Sequence, residues 1–252
     1  MASHALLMSV PVRWGLRLPV LAVLMVTAGL LVALAGCSAP APVAPPASPT
    51  PTALVAPTGD GVLRIGTLFP MTGPAAASGA AQVAGTEAAA REIAAQGGVL
   101  GQPIQLIHRN SAGDQAAAFA DLTARGVDVV LWDAGSAADA ELSTSVAPAA
   151  LLSLSDLVNG GTPLEVGDDF AQRLRAADPG LASTAGGAEA YDGVIATALA
   201  AVATGDDGAA SIEAGWTMVR AGSAVCTSWG ECLLALSEGL NVDFQGMTGR
   251  QS

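Results

Sequence analysis

Val62-Leu63-Arg64-Ile65-Gly66-Thr67-Leu68-Phe69 is a short β-branched and apolar run that reads as a buried strand. Pro70 to Gly79 follows as a turn-rich loop, and Ala80 to Gln96 is an Ala-rich helix former closed by Gly97-Gly98. The same alternation repeats outward. Pro103 to Arg109 is a second strand, and Asp114 caps a helix that runs to Ala124 and stops at Gly126. Val127 to Trp132 is a third strand, a helix starts at Ser136 and lasts to about Val146, and Ala149 to Leu154 is a fourth strand. Strand, helix, strand, helix at this spacing predicts an α/β fold, a parallel sheet flanked by helices. Beyond Gly160 the strand signal fades. Helices are expected over Asp168 to Ala177, Ala188 to Ala203 and Ser211 to Ala221, and a short strand near Asn241 to Phe244 is expected to join the sheet.

In open parallel sheets ligands sit beyond the carboxyl ends of the strands, where helix N-termini present free backbone N–H groups. Thr72 and Gly73 lie in the loop after the first strand. Gly135, Ser136 and Ala137 open the helix after the third, and Ser153 and Ser155 follow the fourth. A serine at a helix start satisfies orphan donors and leaves partial positive charge facing outward, which suits an anionic ligand end. Capping alone is the plainer role for Ser136, and turn geometry alone explains Gly73. Asp114 reads as an N-cap, Asp192 as a first-turn acid, and the pairs Asp168-Asp169 and Asp206-Asp207 as solvated acids.

Before this region lies a different kind of sequence. Arg13 and Arg17 precede an uncharged apolar run from Leu21 to Leu34, which ends in Leu34-Ala35-Gly36-Cys37. A basic flank, a hydrophobic stretch and small residues before the cut describe an export signal over residues 1–36. The final four residues resemble the bacterial lipobox, which implies that Cys37 carries lipid and holds the chain at the extracytoplasmic face of the cell membrane. Residues 37–60 are rich in Pro and Ala, without charge until Asp60, and read as an extended linker.

The chain has 252 residues, of which 51% are hydrophobic and 13% charged, with 22 acids against ten arginines and no lysine. The net charge of −12 disfavours nucleic acid as a partner, because phosphate binding needs clustered basic side chains. Without lysine there is no Walker A phosphate loop and no Schiff base. Residues 1–36 hold two arginines and no acid, so the exported remainder carries eight arginines against 22 acids, or −14. Sequence signatures of hydrolases are missing, and His108 is the one histidine left after export, so neither an enzyme nor a metal or cofactor site is expected.

Several stretches together resemble one family. Arg64-Ile65-Gly66-Thr67-Leu68-Phe69-Pro70-Met71-Thr72-Gly73-Pro74 is similar to the opening of type I periplasmic solute-binding proteins of branched-chain amino acid ABC transporters. Gly97-Gly98-Val99-Leu100-Gly101-Gln102-Pro103-Ile104, Val127-Asp128-Val129-Val130 with Ser136, Leu152-Ser153-Leu154-Ser155 and Ala190-Tyr191-Asp192-Gly193-Val194 resemble later segments of that family in the same order. Cys226 to Cys232 and the ending Val242 to Gly249 resemble its actinobacterial lipoprotein members. The resemblance implies a small-molecule ligand such as an amino acid, an ABC transporter permease as partner and no catalysis. It implies ligand contacts at Thr72, Gly73, Gly135, Ser136, Ala137, Ser153 and Ser155.

Cys226 and Cys232 are close enough in sequence to close a small disulfide loop in an oxidising compartment. In the family a second lobe is inserted after the strand that ends like Ser153. Here only about ten residues, 156–165, stand in that place, so 61–252 reads as a single lobe. Asp156 and Leu157 also stand where the family places Thr or Ser, and an acid there works against a carboxylate ligand. A surface lipoprotein using this lobe as an interaction module is the alternative reading.

Overall fold

The computed structural model describes residues 56–133, 148–157 and 166–249. Outside them lie the expected signal peptide, Cys37, most of the linker, the helix from Ser136 with Gly135 and Ala137, and most of the short replacement for a second lobe. Four parallel strands form the central sheet in the order β2-β1-β3-β4. They are β1 (Arg64–Phe69), β2 (Gln105–Asn110), β3 (Val129–Trp132) and β4 (Ala150–Ser153). The helices are α1 (Ala76–Ala95), α2 (Gln115–Ala124), α3 (Asp168–Ala177), α4 (Gly187–Thr204), α5 (Ala209–Met218) and α6 (Trp229–Ser237). A 3-10 turn, Leu154–Leu157, follows β4 directly.

Alternation along β1 divides the core. Ile65 and Phe69 face one layer with Val129, Leu131 and Leu152, where α1 and α4 supply Ala84, Ala88, Ile93, Tyr191, Val194 and Leu199. Leu68 faces the other with Val130 and Trp132, against Phe119 and Leu122 of α2. Asp114 caps α2 as expected, its carboxylate accepting from the Ala117 N–H at 2.9 Å. Helix α1 crosses α4 at Gly85, where an added Cβ would lie 2.1 Å from the Gly187 carbonyl oxygen. Small residues on both helices therefore permit a backbone-to-backbone approach that no larger side chain allows.

The strand near Asn241 to Phe244 does not join the central sheet. As β6 (Val242–Phe244) it pairs in parallel with β5 (Ala224–Cys226) in a separate two-stranded sheet. So small a ribbon is marginal alone. Here the Cys226–Cys232 disulfide ties β5 to α6, and the fully buried Trp229 and Phe244 anchor both pieces to the main core.

Two further expectations give way. Asp206 and Asp207 are not solvated: they are 7% and 2% exposed. The Asp206 carboxylate accepts the Thr58 and Gly59 N–H groups at 3.2 and 2.9 Å, and Asp207 accepts Gly61 N–H at 2.9 Å. Burial works against the Asp206 carboxylate, yet donors from Ser211, Gly59, Thr58 and Gly208 outweigh it and hold its pKa below the usual range. Asp168 and Asp169, by contrast, are exposed in the first turn of α3 as read.

Asp192 is likewise no first-turn acid. Helix α4 begins five residues earlier at Gly187, and Asp192 is fully buried in its second turn. Its two oxygens accept the Met247 and Thr248 N–H groups at 2.9 and 2.7 Å, so it pins the end of the described chain. Gly246 has φ +54 and an added Cβ would meet the Asp192 carboxyl at 2.4 Å, so that turn needs glycine on two counts.

Burial pushes the Asp192 carboxyl up to about 6, against the pull of the two backbone donors. The folded chain then takes up a proton before the unfolded chain does. The contribution of Asp192 to stability is expected to rise as pH falls from about 7 toward 4, and to gain nothing more below the unfolded value. Its share is at most about 1.4 kcal/mol per pH unit. Asp128 acts in the same sense, its carboxyl pushed up to about 6 chiefly by burial. Urea unfolding between pH 4.5 and 7.5 checks this: Asp192→Asn should flatten the slope, and an unchanged slope would count against the assignment.

Candidate functional site

The chain runs from β1 to β2 on one side of the sheet and then returns to place β3 on the other side of β1. The crevice beyond the carboxyl ends of β1 and β3 is the position where such a reversal opens a ligand site. Register brings the relevant strand ends into one row. Asn110 pairs with Phe69, Leu68 with Trp132, and Trp132 with Ser153.

At the β1 end, Asn110 organises the loop. Its side-chain oxygen accepts from the Met71 and Ala112 N–H groups at 2.9 and 3.0 Å, while its amide donates to Thr72 Oγ1 at 2.8 Å. Thr72 and Gly73 are both exposed there. At the β3 end, Asp133 receives the Gln82 amide Nε2–H at 2.8 Å, which joins the loop after β3 to the middle of α1. Acceptance by a carboxylate fixes which way the Gln82 amide points. At the β4 end, Ser153 is buried and its hydroxyl lies 2.7 Å from that of exposed Ser155, whose N–H also donates to Ser153 Oγ at 3.2 Å.

Thr72, Gly73, Ser153 and Ser155 therefore sit on one edge, as read from sequence. Gly135, Ser136 and Ala137 begin two residues beyond Asp133 and lie outside the described residues. Sequence reasoning missed Asn110, Gln82 and Asp133. Asp133 directly follows the apolar run Val129 to Trp132, the one signal that could have found it; Asn110 follows His108 and Arg109 and Gln82 is merely polar within an alanine-rich helix, so neither carries such a signal.

The edge offers hydroxyls, one carboxylate and amide groups, which suit hydrogen bonding to a polar solute. An apolar groove of about 280 Å³ lies beside the same loop, lined by Met71, Ala80, Val83, Ala84, Glu87 and Asp178. His108, on β2, lies between Thr67 Oγ1 at 2.8 Å from Nδ1 and Glu87 at 3.4 Å from Nε2. Thr67 is completely buried in β1, so that chain of contacts has no reachable nucleophile.

Tyr191, noted with Asp192 in the sequence, points away from the edge. Its hydroxyl donates to Glu92 at 2.6 Å, and Arg173 lies over both its ring and that of Phe170. Burial, with the Glu92 carboxylate beside it, raises the Tyr191 pKa, so this phenol stays protonated and serves as a brace between α1, α3 and α4.

A sequence profile described as periplasmic binding protein matches residues 62–219. No curated protein matches the chain. Among solved structures the chain is similar to an extracellular ligand-binding receptor from Verminephrobacter eiseniae, at 24% identity over 38% of this chain and 29% of that one, with a TM-score of 0.34. It is also similar to the branched-chain amino acid transporter substrate binding protein LivJ from Streptococcus pneumoniae in complex with isoleucine. That match has 14% identity over 75% of this chain and 91% of that one, and a TM-score of 0.47. A fatty acid ABC transporter substrate-binding protein from Thermomonospora curvata matches at 11% identity, over 77% and 87% of the two chains, with a TM-score of 0.42. The chain thus spans less than a third of the first of these proteins and most of the other two.

Proposed function

Because the chain belongs to the periplasmic binding protein family, we propose that it is a lipid-anchored solute-binding protein that serves an ABC transporter and performs no chemistry. In this reading residues 1–36 are removed on export, Cys37 carries the lipid, residues 37–60 are the linker, and 61–252 form one ligand-binding lobe. The ligand is an amino acid of the branched-chain kind or a similar small polar solute, held at the sheet's carboxyl edge.

One observation carries the reading. The strand register lines up Thr72, Asp133 and the Ser153–Ser155 hydroxyl pair around the β1–β3 reversal. A solute there meets donors and acceptors from three different strand ends, and Gly135, Ser136 and Ala137 follow shortly after Asp133 in sequence. A site built to hydrogen-bond a solute discriminates by leaving its own groups unpaired when the wrong solute enters.

Titration calorimetry of the full chain in mild detergent, with leucine, isoleucine, valine and a panel of other amino acids, tests the proposal. Saturable binding is expected for at least one solute, and Ser153→Ala is expected to weaken it by at least tenfold. Saturable heat from none of them would overturn solute binding, and a bound solute indifferent to Ser153→Ala would overturn the site.

A further inference from the structure

A groove of about 290 Å³ opens on the surface where three helices meet the small two-stranded sheet. Val202 and Ala203, in the last turn of α4, form one wall, and Met218 stands at the end of α5. Leu233 and Leu236 of α6, with Leu240 beyond it, line the rest. Met218 and Leu240 are each 46% exposed, unlike most large aliphatic side chains of the lobe. An apolar patch of this kind, rimmed by Ser237 and Asn241, marks a surface that something covers. A folded partner suits it poorly, because each side of a stable protein interface contributes about 800 Å².

The start of the described chain is fastened at the same end of α4. Asp206 folds back on the last turn of that helix, its N–H donating to the Ala201 carbonyl at 3.1 Å. Its carboxylate holds the Thr58 and Gly59 N–H groups, while Ala56 and Pro57 are exposed. Thr52-Ala53-Leu54-Val55 come just ahead of them in sequence. Leu54 is four residues from Thr58, a span of up to about 14 Å. That exceeds the width of a helix with its side chains, about 10–12 Å. Leu54 is therefore within reach of a wall built on the turn that Asp206 folds against.

Composition selects this segment as the occupant. From residue 38 to residue 57 every residue is Ala, Pro, Ser or Thr except Val43, Leu54 and Val55, and none is charged. Leu54 and Val55 are thus the one adjacent aliphatic pair in that stretch, and they stand immediately before the fastened residues. Ala56 precedes a proline, which favours extended backbone and opposes a helix at that point. No charged side chain lines the groove, so an uncharged aliphatic pair matches it where the acids common elsewhere in this chain would not.

We propose that Leu54 and Val55 lie in this groove, so that the last residues of the linker belong to the lobe and not to the tether. Docked there, they take Met218 and Leu240 out of water and set the direction in which the chain leaves the lobe. This contact goes beyond solute binding and stands whether or not Thr72 and Ser153 touch a ligand.

Methyl NMR of the full chain in mild detergent reads the contact directly. Nuclear Overhauser contacts are expected from the Leu54 or Val55 methyls to those of Met218 and Leu240 within one chain. Digestion with thermolysin, which cuts on the amino side of bulky aliphatic residues, gives a second measure. Met218→Asp and Leu240→Asp, both at half-exposed positions that tolerate a polar side chain, should each speed cleavage before Leu54 or Val55 at least tenfold. Leu234→Asp, at a 61% exposed position of α6 outside the groove lining, should leave that rate unchanged. Absence of the methyl contacts would overturn the proposal, and so would an unchanged cleavage rate in both groove variants. Contacts found only between differently labelled chains would assign the groove to a second copy, and contacts to detergent acyl chains in place of Leu54 and Val55 would assign it to lipid. Either result would overturn the proposal as well.

Discussion

Gly85→Val is expected to cost about 4 kcal/mol or more, enough to unfold much of the population of a typical domain. Position 85 has no room even for a methyl group: its Cβ would lie 2.1 Å from the Gly187 carbonyl oxygen and 3.0 Å from the carbonyl carbon. Both are backbone atoms, so no rotamer change relieves the contact. Relief requires α1 and α4 to separate, and those two helices carry most of the larger core layer, including Ala84, Ala88, Ile93, Val194 and Leu199. Urea unfolding followed by circular dichroism measures the loss. Ala94→Val is the matched control, since it places the same side chain at an exposed position of the same helix and should cost well under 1 kcal/mol. If the two variants unfold alike, the close crossing is not what limits position 85.

Trp229→Ala is expected to cost about 4 kcal/mol, within the range for deleting a large buried aromatic side chain. Trp229 is 0% exposed and packs in the main core cluster with Cys226, Cys232 and Phe244, at the start of the helix that the disulfide ties to β5. Its indole nitrogen has no hydrogen-bond partner among the described residues, so truncation removes packing and leaves no polar group newly stranded. Trp229→Phe, which keeps most of the volume, should therefore recover more than half of the loss. Guanidinium unfolding of the oxidised protein reads both values. A phenylalanine variant no better than alanine would show that something other than filled space matters at this position.

Elements with local signatures were legible. Each of the four strands of the main sheet is built around Val, Ile or Leu, and α2 starts at the cap that Asp114 provides. The positions of Thr72, Ser153 and Ser155 just beyond strand ends, where ligand contacts are proposed, followed from those strands. What escaped depends on partners distant in sequence. Ala224 to Cys226 is too short for a period, and only its pairing with Val242 to Phe244 makes it a strand. Asp206 and Asp207 sit among glycines and alanines and look solvated, until a segment almost 150 residues earlier folds over them. Asp192 is buried by contacts 55 and 56 residues away.

The carboxylates that hold residues 58–61 also decide how the lobe would carry a mechanical load. Tension drawn through the chain at residue 56 reaches Asp206 and Asp207 first, whose bonds to Thr58, Gly59 and Gly61 must give way before force enters the sheet. Next in line is the Arg64 N–H, bonded to Asp128 at 2.8 Å. Beyond it β1 runs between β2 and β3, parallel to both, so further traction slides the strand lengthwise against two neighbours at once. Rungs loaded side by side share the strain, whereas an edge strand peeled from one end breaks them in turn. A lobe drawn by that end of its chain would hold through its stiffest element, and the far edge, where Thr72 and Ser153 lie, would feel the pull last.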